Sequence, residues 1–131
     1  MSYFDHEQLD AYRIAMEFAI LIDKILEQFP KGRSHLVDQL HRASTSVLFN
    51  IAEGAGEYLK TEKMRFYRIA RRSGTESAAI LELGKNLRLI GEADFEKSRQ
   101  LLIRILSMLT IMTRSKETNG QRAGEEGKGS R

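Results

Sequence analysis

Basic side chains are the residues of this sequence whose types and spacing predict a chemistry. Arg65, Arg68 and Arg72 stand at positions i, i+3 and i+7, so a helix would place them on one face. A guanidinium donates two parallel hydrogen bonds to a phosphate, so this face favours a polyanion such as RNA or DNA. Neighbouring bases complete the predicted nucleic-acid-binding set: Arg42, Lys60, Lys63 and Arg71. We also expect Tyr67, beside this set, to be available for stacking on a base.

The charge of the chain is sorted along its length. Residues 1–30 carry six acids and two bases, whereas residues 31–72 carry nine bases and four acids. The whole chain of 131 residues has a formal net charge of +3. The basic middle is therefore where a polyanion would bind. The alternative is an ordinary charged helix surface, paired with nearby acids such as Glu57 and Glu62.

A second group of polar residues lies among apolar positions and forms a predicted structural polar core: Ser46, Asn50, Ser73 and Glu76. Buried polar groups require hydrogen-bond partners. The hypothesis is that Asn50 bonds Ser73 or Glu76 across the core and thereby fixes the register of two helices.

Other chemistries find little support. Di-iron bundles need repeated Glu-x-x-His pairs, and the chain offers one related motif, Asp38-x-x-His41. The absence of cysteine excludes thiolate metal sites and a cysteine nucleophile. Gly54-x-Gly56 follows a predicted helix, so it is interpreted as a left-handed turn that stops the helix instead of a phosphate loop. We expect no enzyme activity, no catalytic residues, no metal and no cofactor.

Apolar residues recur at helical spacing in four segments, which predicts an all-α protein. Short connections favour an antiparallel up-down-up-down four-helix bundle. The predicted helices are Glu7–Phe29, ended by Pro30; Ser34–Glu53, capped by Ser34; Glu62–Ile90, capped by Thr61 and closed by Gly91; and Ala93–Lys116. Gly84 is expected to mark a close helix crossing.

The last predicted helix is apolar around its whole circumference. Nine of the twelve residues from Leu101 to Met112 are apolar. Because every helix of a four-helix bundle has an outward face, this surplus predicts contact with another copy of the chain, in a cyclic homo-oligomer.

Composition limits the remaining possibilities. One domain is expected over residues 1–116, followed by a disordered tail over residues 117–131 that lacks large aliphatic residues. Acidic residues interrupt the N-terminus early, so no signal peptide is predicted. No uncharged apolar run reaches the length of a membrane span. We therefore expect a cytoplasmic protein with no membrane partner.

Three sequence blocks carry a resemblance to a known family. They are Phe4-Asp5-His6-Glu7-x-Leu9-x-x-Tyr12, Arg42-Ala43-Ser44-x-Ser46 leading into Asn50-Ile51-Ala52-Glu53-Gly54, and the aromatic-rich block Phe66–Glu76. The chain resembles the four-helix-bundle 23S rRNA intervening-sequence proteins, related in fold to the accessory variability-determinant proteins of diversity-generating retroelements. Family members often carry glycine where this chain has Arg72. The resemblance implies a homopentamer and a nucleic-acid role, and no established enzyme activity. A protein-interaction scaffold without a direct nucleic-acid role is the alternative.

Overall fold

The computed structural model describes the backbone of residues 5–127 and the side chains of residues 5–114. Within that part of the chain there are four α-helices and no strands, so the all-α prediction is confirmed. The helices are α1 (His6–Glu27), α2 (Ser34–Ala55), α3 (Lys60–Asn86) and α4 (Glu92–Gly127). Each helix packs against the next one along the chain, and α4 also packs against α1.

A capping box fixes the start of α1. The side chain of Asp5 accepts a hydrogen bond from the Gln8 backbone N–H at 2.8 Å, and the Gln8 side-chain oxygen accepts one from the Asp5 N–H at 3.1 Å. Two backbone donors that the helix cannot satisfy are thereby bonded. The helix ends at Glu27, before Pro30, because proline disfavours helical geometry in the residue that precedes it.

Three of the predicted helix boundaries are wrong. Ser34 and Thr61 are the first and second residues of their helices, and the capping residues Arg33 and Leu59 make no side-chain cap bond. The third error is Gly91, whose carbonyl accepts from the Phe95 N–H at 2.9 Å and so belongs to the start of α4.

The end of α3 uses an arginine where glycine is usual. Arg88 takes a left-handed conformation with φ of 61°. The Leu89 N–H donates to the Gly84 carbonyl at 2.8 Å, and the Arg88 N–H donates to the Lys85 carbonyl at 3.0 Å. This pair of bonds is the Schellman motif, which satisfies carbonyls that the ending helix leaves open.

The last helix is longer than the sequence predicted. Its backbone continues to Gly127, whereas the prediction placed its end at Lys116 and a disordered tail after it. Residues 117–127 include glutamate, arginine, glutamine and alanine, whose helix propensity is high, and this favours continuation in spite of three glycines. Residues 128–131 lie outside the described part of the chain.

The core accommodates most of the apolar surplus of α4. Of the nine apolar residues between Leu101 and Met112, seven are buried or half-buried within the single bundle. Only Ile103 and Ile111 remain exposed, at 46% and 61%. The inference that this helix needs another subunit to cover its circumference was therefore too strong, because α1 and α3 already enclose it from two sides.

Candidate nucleic-acid interface

The three arginines of the predicted face are all exposed on α3. Arg65 donates from Nε and Nη2 to the Oε2 atom of Glu62, at 3.1 and 2.9 Å. Its guanidinium also lies 4.6 Å from the centre of the Phe66 ring. An exposed pair of this kind contributes little to stability and is easily exchanged for another partner. Arg68 and Arg72 are exposed on the same side of the helix.

Two further bases of the set are exposed outside this face. Arg42 lies on α2, and Lys60 is the first residue of α3. Together with the three arginines they leave five of the seven predicted bases on the surface of the bundle.

Lys63 is directed inward instead. Its Nζ donates to the backbone carbonyl of Gly54 at 2.9 Å and to that of Ala55 at 3.3 Å. These are among the last carbonyls of α2, where the helix leaves acceptors unsatisfied and where positive charge is favourable. Lys63 thus joins the end of α2 to the start of α3. A lysine shortly after a short helix connection was the sequence signal for this contact.

Arg71 also bonds within the bundle. Its Nη1 donates to the hydroxyl of Thr113 at 2.7 Å, and that hydroxyl donates in turn to the Leu109 carbonyl at 2.8 Å. Thr113 is fully buried. One residue along a helix turns a side chain by about 100°, so Arg71 faces α4 while Arg72 faces solvent. The two arginines are adjacent in the sequence, which does not by itself reveal this difference.

The expectation that Tyr67 could stack on a base is wrong. Its side chain is 1% exposed and its ring lies against α2. A Cβ atom added at Gly54 would approach within 2.5 Å of the Tyr67 ring. Gly54 is itself a helical residue, and Gly56 closes α2 with φ of −84°. Glycine is therefore needed at position 54 for the close approach of the ring, and not for a left-handed turn.

A chain of polar groups links α2 to α3. The Ser46 and Ser73 hydroxyls lie 2.8 Å apart, and Asn50 donates from Nδ2 to the Ser46 carbonyl at 2.8 Å and to its hydroxyl at 3.0 Å. The connection between helices therefore runs through Ser46, and Asn50 supports it from the same helix. Glu76 is exposed and takes no part in these bonds. The predicted direct bond from Asn50 to α3 is replaced by this relay, because the shorter serine side chain is closer to Ser73.

The glycines of α3 allow close contact elsewhere in the bundle. A Cβ at Gly74 would lie 2.7 Å from Leu106 of α4, and one at Gly84 would lie 2.7 Å from Ile90. Gly84 thus admits a residue of the α3–α4 connection, a close approach of a different kind from the helix crossing predicted there.

Neither a metal site nor a membrane-spanning helix is found in the described part of the chain. Among residues 5–114, whose side chains are described, no group of three His, Asp or Glu residues is arranged to hold a metal ion. None of the helices, over their described residues, has the length and apolar character needed to cross a membrane.

Comparison with known proteins shows what this helical bundle is similar to. The family model for 23S rRNA-intervening sequence proteins matches residues 7–111. The chain is also similar to the crystal structure of a protein of unknown function from the S23 ribosomal protein family of Bacteroides thetaiotaomicron. The TM-score is 0.73 at 20% sequence identity, covering 79% of this chain and 97% of that one. At this identity the structural likeness establishes the fold alone. No functionally curated protein matches the chain.

Proposed function

Because this chain belongs to the family of 23S rRNA-intervening sequence proteins, we propose that it is a non-enzymatic helical bundle that binds RNA or DNA through phosphate contacts. The observation that carries the proposal is the exposed arginine face of α3, formed by Arg65, Arg68 and Arg72. Guanidinium groups spaced along one helix face can each engage a different phosphate of one strand.

The proposed interface consists of the exposed bases. The proposal adds Arg42 and Lys60, which are exposed but lie outside the arginine face, whereas Lys63 and Arg71 hold the bundle together through their bonds to α2 and α4. The ion pair of Arg65 with Glu62 does not oppose binding, since its energy in water is small and a phosphate replaces the carboxylate. No base-reading contact is proposed, so binding is expected to depend weakly on sequence.

The proposal includes assembly of several copies. The fold would be an up-down-up-down bundle, which is supported by the opposite order of contacts in Ser46–Ser73 and Gly54–Tyr67 along α2 and α3. Exposed apolar residues support a homo-oligomer. The family resemblance implies that this oligomer is a pentamer. Phe49, on the last two turns of α2, is 60% exposed, and Tyr58 and Leu59, in the following connection, are 100% and 64% exposed. A ring would repeat the arginine face and multiply weak phosphate contacts.

A protein-interaction scaffold is the second candidate, favoured by two further exposed apolar residues. Leu83 and Leu87, both on the outer side of α3 or at its end, are 46% and 39% exposed. An apolar surface of this kind could bind a different protein instead of a second copy. The affinity for that partner would not depend on salt concentration, and substitutions in the arginine face would not change it.

Charge reversal tests the nucleic-acid proposal. Single-stranded RNA is titrated at low salt with wild-type protein and with the combined variant Arg65→Glu, Arg68→Glu and Arg72→Glu. The control variant reverses three other exposed bases, Arg13→Glu, Lys24→Glu and Lys31→Glu, and so has the same net charge. We expect the first variant to lose more than tenfold in affinity and the control to lose much less.

Two results would reject the proposed interface. The first is the absence of RNA and DNA binding by wild-type protein at low salt. The second is an equal loss in both variants, which would attribute binding to net charge alone. Light scattering tests the assembly separately: we expect a mass that is a multiple of 15.0 kDa, and a monomer at high concentration would contradict it.

A further inference from the structure

The connection between α2 and α3 carries a fully exposed aromatic ring. It consists of residues 56–59, and Tyr58 within it is 100% exposed. Aromatic rings are usually largely buried, because burial removes a large apolar area from water. Tyr67, nine residues further along, follows this rule at 1% exposure. The packing of the bundle therefore gives no reason for a tyrosine at position 58.

The backbone on both sides of Tyr58 is anchored by hydrogen bonds. The Glu57 N–H donates to the Gly54 carbonyl at 3.2 Å, and the Lys63 N–H donates to the Leu59 carbonyl at 2.9 Å. The Lys63 side chain also donates to the Gly54 carbonyl, at 2.9 Å. A turn that is ordered before a ligand arrives loses little conformational entropy on binding. The ring of Tyr58 is thus exposed on a short, bonded turn instead of a long loop.

Tyr58 directly precedes the basic half of α3. Lys60 is the first residue of the helix and is exposed, and its Cα atom lies within about 7 Å of that of Tyr58. From Lys60 to the last arginine of the arginine face the helix rises by about 18 Å. This rise corresponds to about five nucleotides of a stacked strand. Of the acids nearby, Glu57 is half-buried and Glu62 is paired with Arg65.

We propose that Tyr58 stacks on an unpaired base, so that the ligand of the arginine face is a single strand of nucleic acid. This inference rests on the proposed nucleic-acid function and specifies the form of the ligand. Sites for single strands combine positive charge along the backbone with aromatic rings on which bases stack.

A duplex does not offer this contact. Each internal base of a duplex has a neighbouring base on both of its faces, so a tyrosine on a turn finds no free face there. Every base has a face of this kind when unpaired, so stacking tolerates any sequence, in agreement with the weak sequence dependence expected above. Stacking does not use the 2′-hydroxyl, so single-stranded DNA should behave like single-stranded RNA.

Fluorescence anisotropy of the full chain with labelled RNA provides the test. The oligonucleotide has about eight nucleotides, more than the about five that the basic half of α3 spans. The same sequence is also measured as a duplex, and as a strand of abasic sites that keeps the phosphates. We expect wild-type protein to bind the single strand at least fivefold more tightly than either of the other two.

Variants assign the contact to the ring. Tyr58→Ala should weaken binding of the single strand at least fivefold, since one stacked base contributes that much. It should leave the affinity for the abasic strand and the salt dependence unchanged, because no charge is removed. Tyr58→Phe keeps the ring and should bind like the wild type. Leu59→Ala, at the neighbouring exposed apolar position, is the control and should change affinity by less than twofold.

Several outcomes would overturn the proposal. They are wild-type affinity of Tyr58→Ala for the single strand, an equal loss in Leu59→Ala, and a preference of wild-type protein for the duplex. Light scattering adds one more, because a smaller assembly in Tyr58→Ala would assign the ring to contact between copies.

The two proposals fail in different ways. If charge reversal of the arginine face abolishes binding while Tyr58→Ala binds normally, the nucleic-acid function stands and stacking is rejected. If wild-type protein binds no nucleic acid at low salt, both are rejected.

Discussion

The inner and outer faces of α3 are parts of one helix under different constraints. On the inner face, the Tyr67 ring occupies space that only a glycine at position 54 leaves open, and Gly74 admits a leucine of α4. On the outer face, Arg68 and Arg72 are exposed. Packing determines the first set of residues and places almost no demand on the second. We therefore propose that a role outside the bundle belongs to the outer face, where substitutions are expected to leave the fold intact.

The largest expected effect concerns the inner face. Gly54→Ala places a Cβ atom within 2.5 Å of a buried ring, whereas the Cβ of Gly56→Ala meets nothing closer than 3.7 Å. We expect the first substitution to lower the free energy of unfolding by about 1–3 kcal/mol. The second should change it by less than about 0.5 kcal/mol. Chemical denaturation measures both, and equal stabilities would show that the ring is not confined as described.

The Tyr67 hydroxyl gives the inner face a dependence on pH. Burial raises its pKa from 10.0 to about 12, so between these values the folded protein holds a proton that the unfolded chain has released. The contribution of the protonated Tyr67 to the free energy of unfolding is fully present below pH 10. It falls by about 1–2 kcal/mol as the pH rises toward 12. Tyr67→Phe should lack this part of the decline, and Tyr58→Phe, at a fully exposed position, should retain it. Urea unfolding at several alkaline pH values tests this, and identical declines in all three proteins would contradict it.

The serine contact between α2 and α3 should have a measurable coupling energy. A double-mutant cycle of Ser46→Ala and Ser73→Ala removes the 2.8 Å contact between the hydroxyls. We expect a coupling of about 0.5–1.5 kcal/mol. Thr75→Ala is the control, because that hydroxyl bonds only the Arg71 carbonyl on its own helix. A coupling near zero would mean that the hydroxyl pair does not join the helices energetically.

Arg71 and Arg72 are adjacent in the sequence, yet their replacement should affect stability differently because they lie on different faces of α3. Arg71→Ala removes the bond to the buried Thr113 hydroxyl and should destabilise the protein by about 1 kcal/mol. Arg72→Ala, on the solvent side, should change stability by less than about 0.5 kcal/mol. Thermal melting compares the two. If Arg72→Ala were the more damaging variant, the division of α3 into two faces would be wrong.

The sequence predicted the number and approximate extent of the helices because apolar spacing along each one reports its buried face. It also placed Arg65, Arg68 and Arg72 on one exposed side, since helical periodicity alone determines that relation. Helix ends were less accurate. Several residues near each end can serve as the cap, and Arg88 shows that a residue other than glycine can adopt the left-handed geometry.

Contacts between helices could not be obtained from periodicity. The sequence marked Gly54, Lys63, Arg71 and Tyr67 as notable, yet their roles depend on which atoms of another helix lie opposite. Lys63 and Arg71 resemble surface bases in the sequence until α2 and α4 provide acceptors for them. For the same reason, the sequence of α4 predicted more exposed apolar surface than the structure has. The neighbouring helices cover more of a helix than a wheel diagram suggests.

The salt dependence of RNA binding measures whether the arginines of the outer face contact phosphate. The affinity for single-stranded RNA is measured over a series of salt concentrations for wild-type protein and for Arg65→Ala, Arg68→Ala and Arg72→Ala combined. Each phosphate contact contributes about 0.7 to the slope of log K against log salt. We expect the variant to be as stable as the wild type but to have a slope shallower by about 2. An unchanged slope would contradict the claim that these arginines contact phosphate.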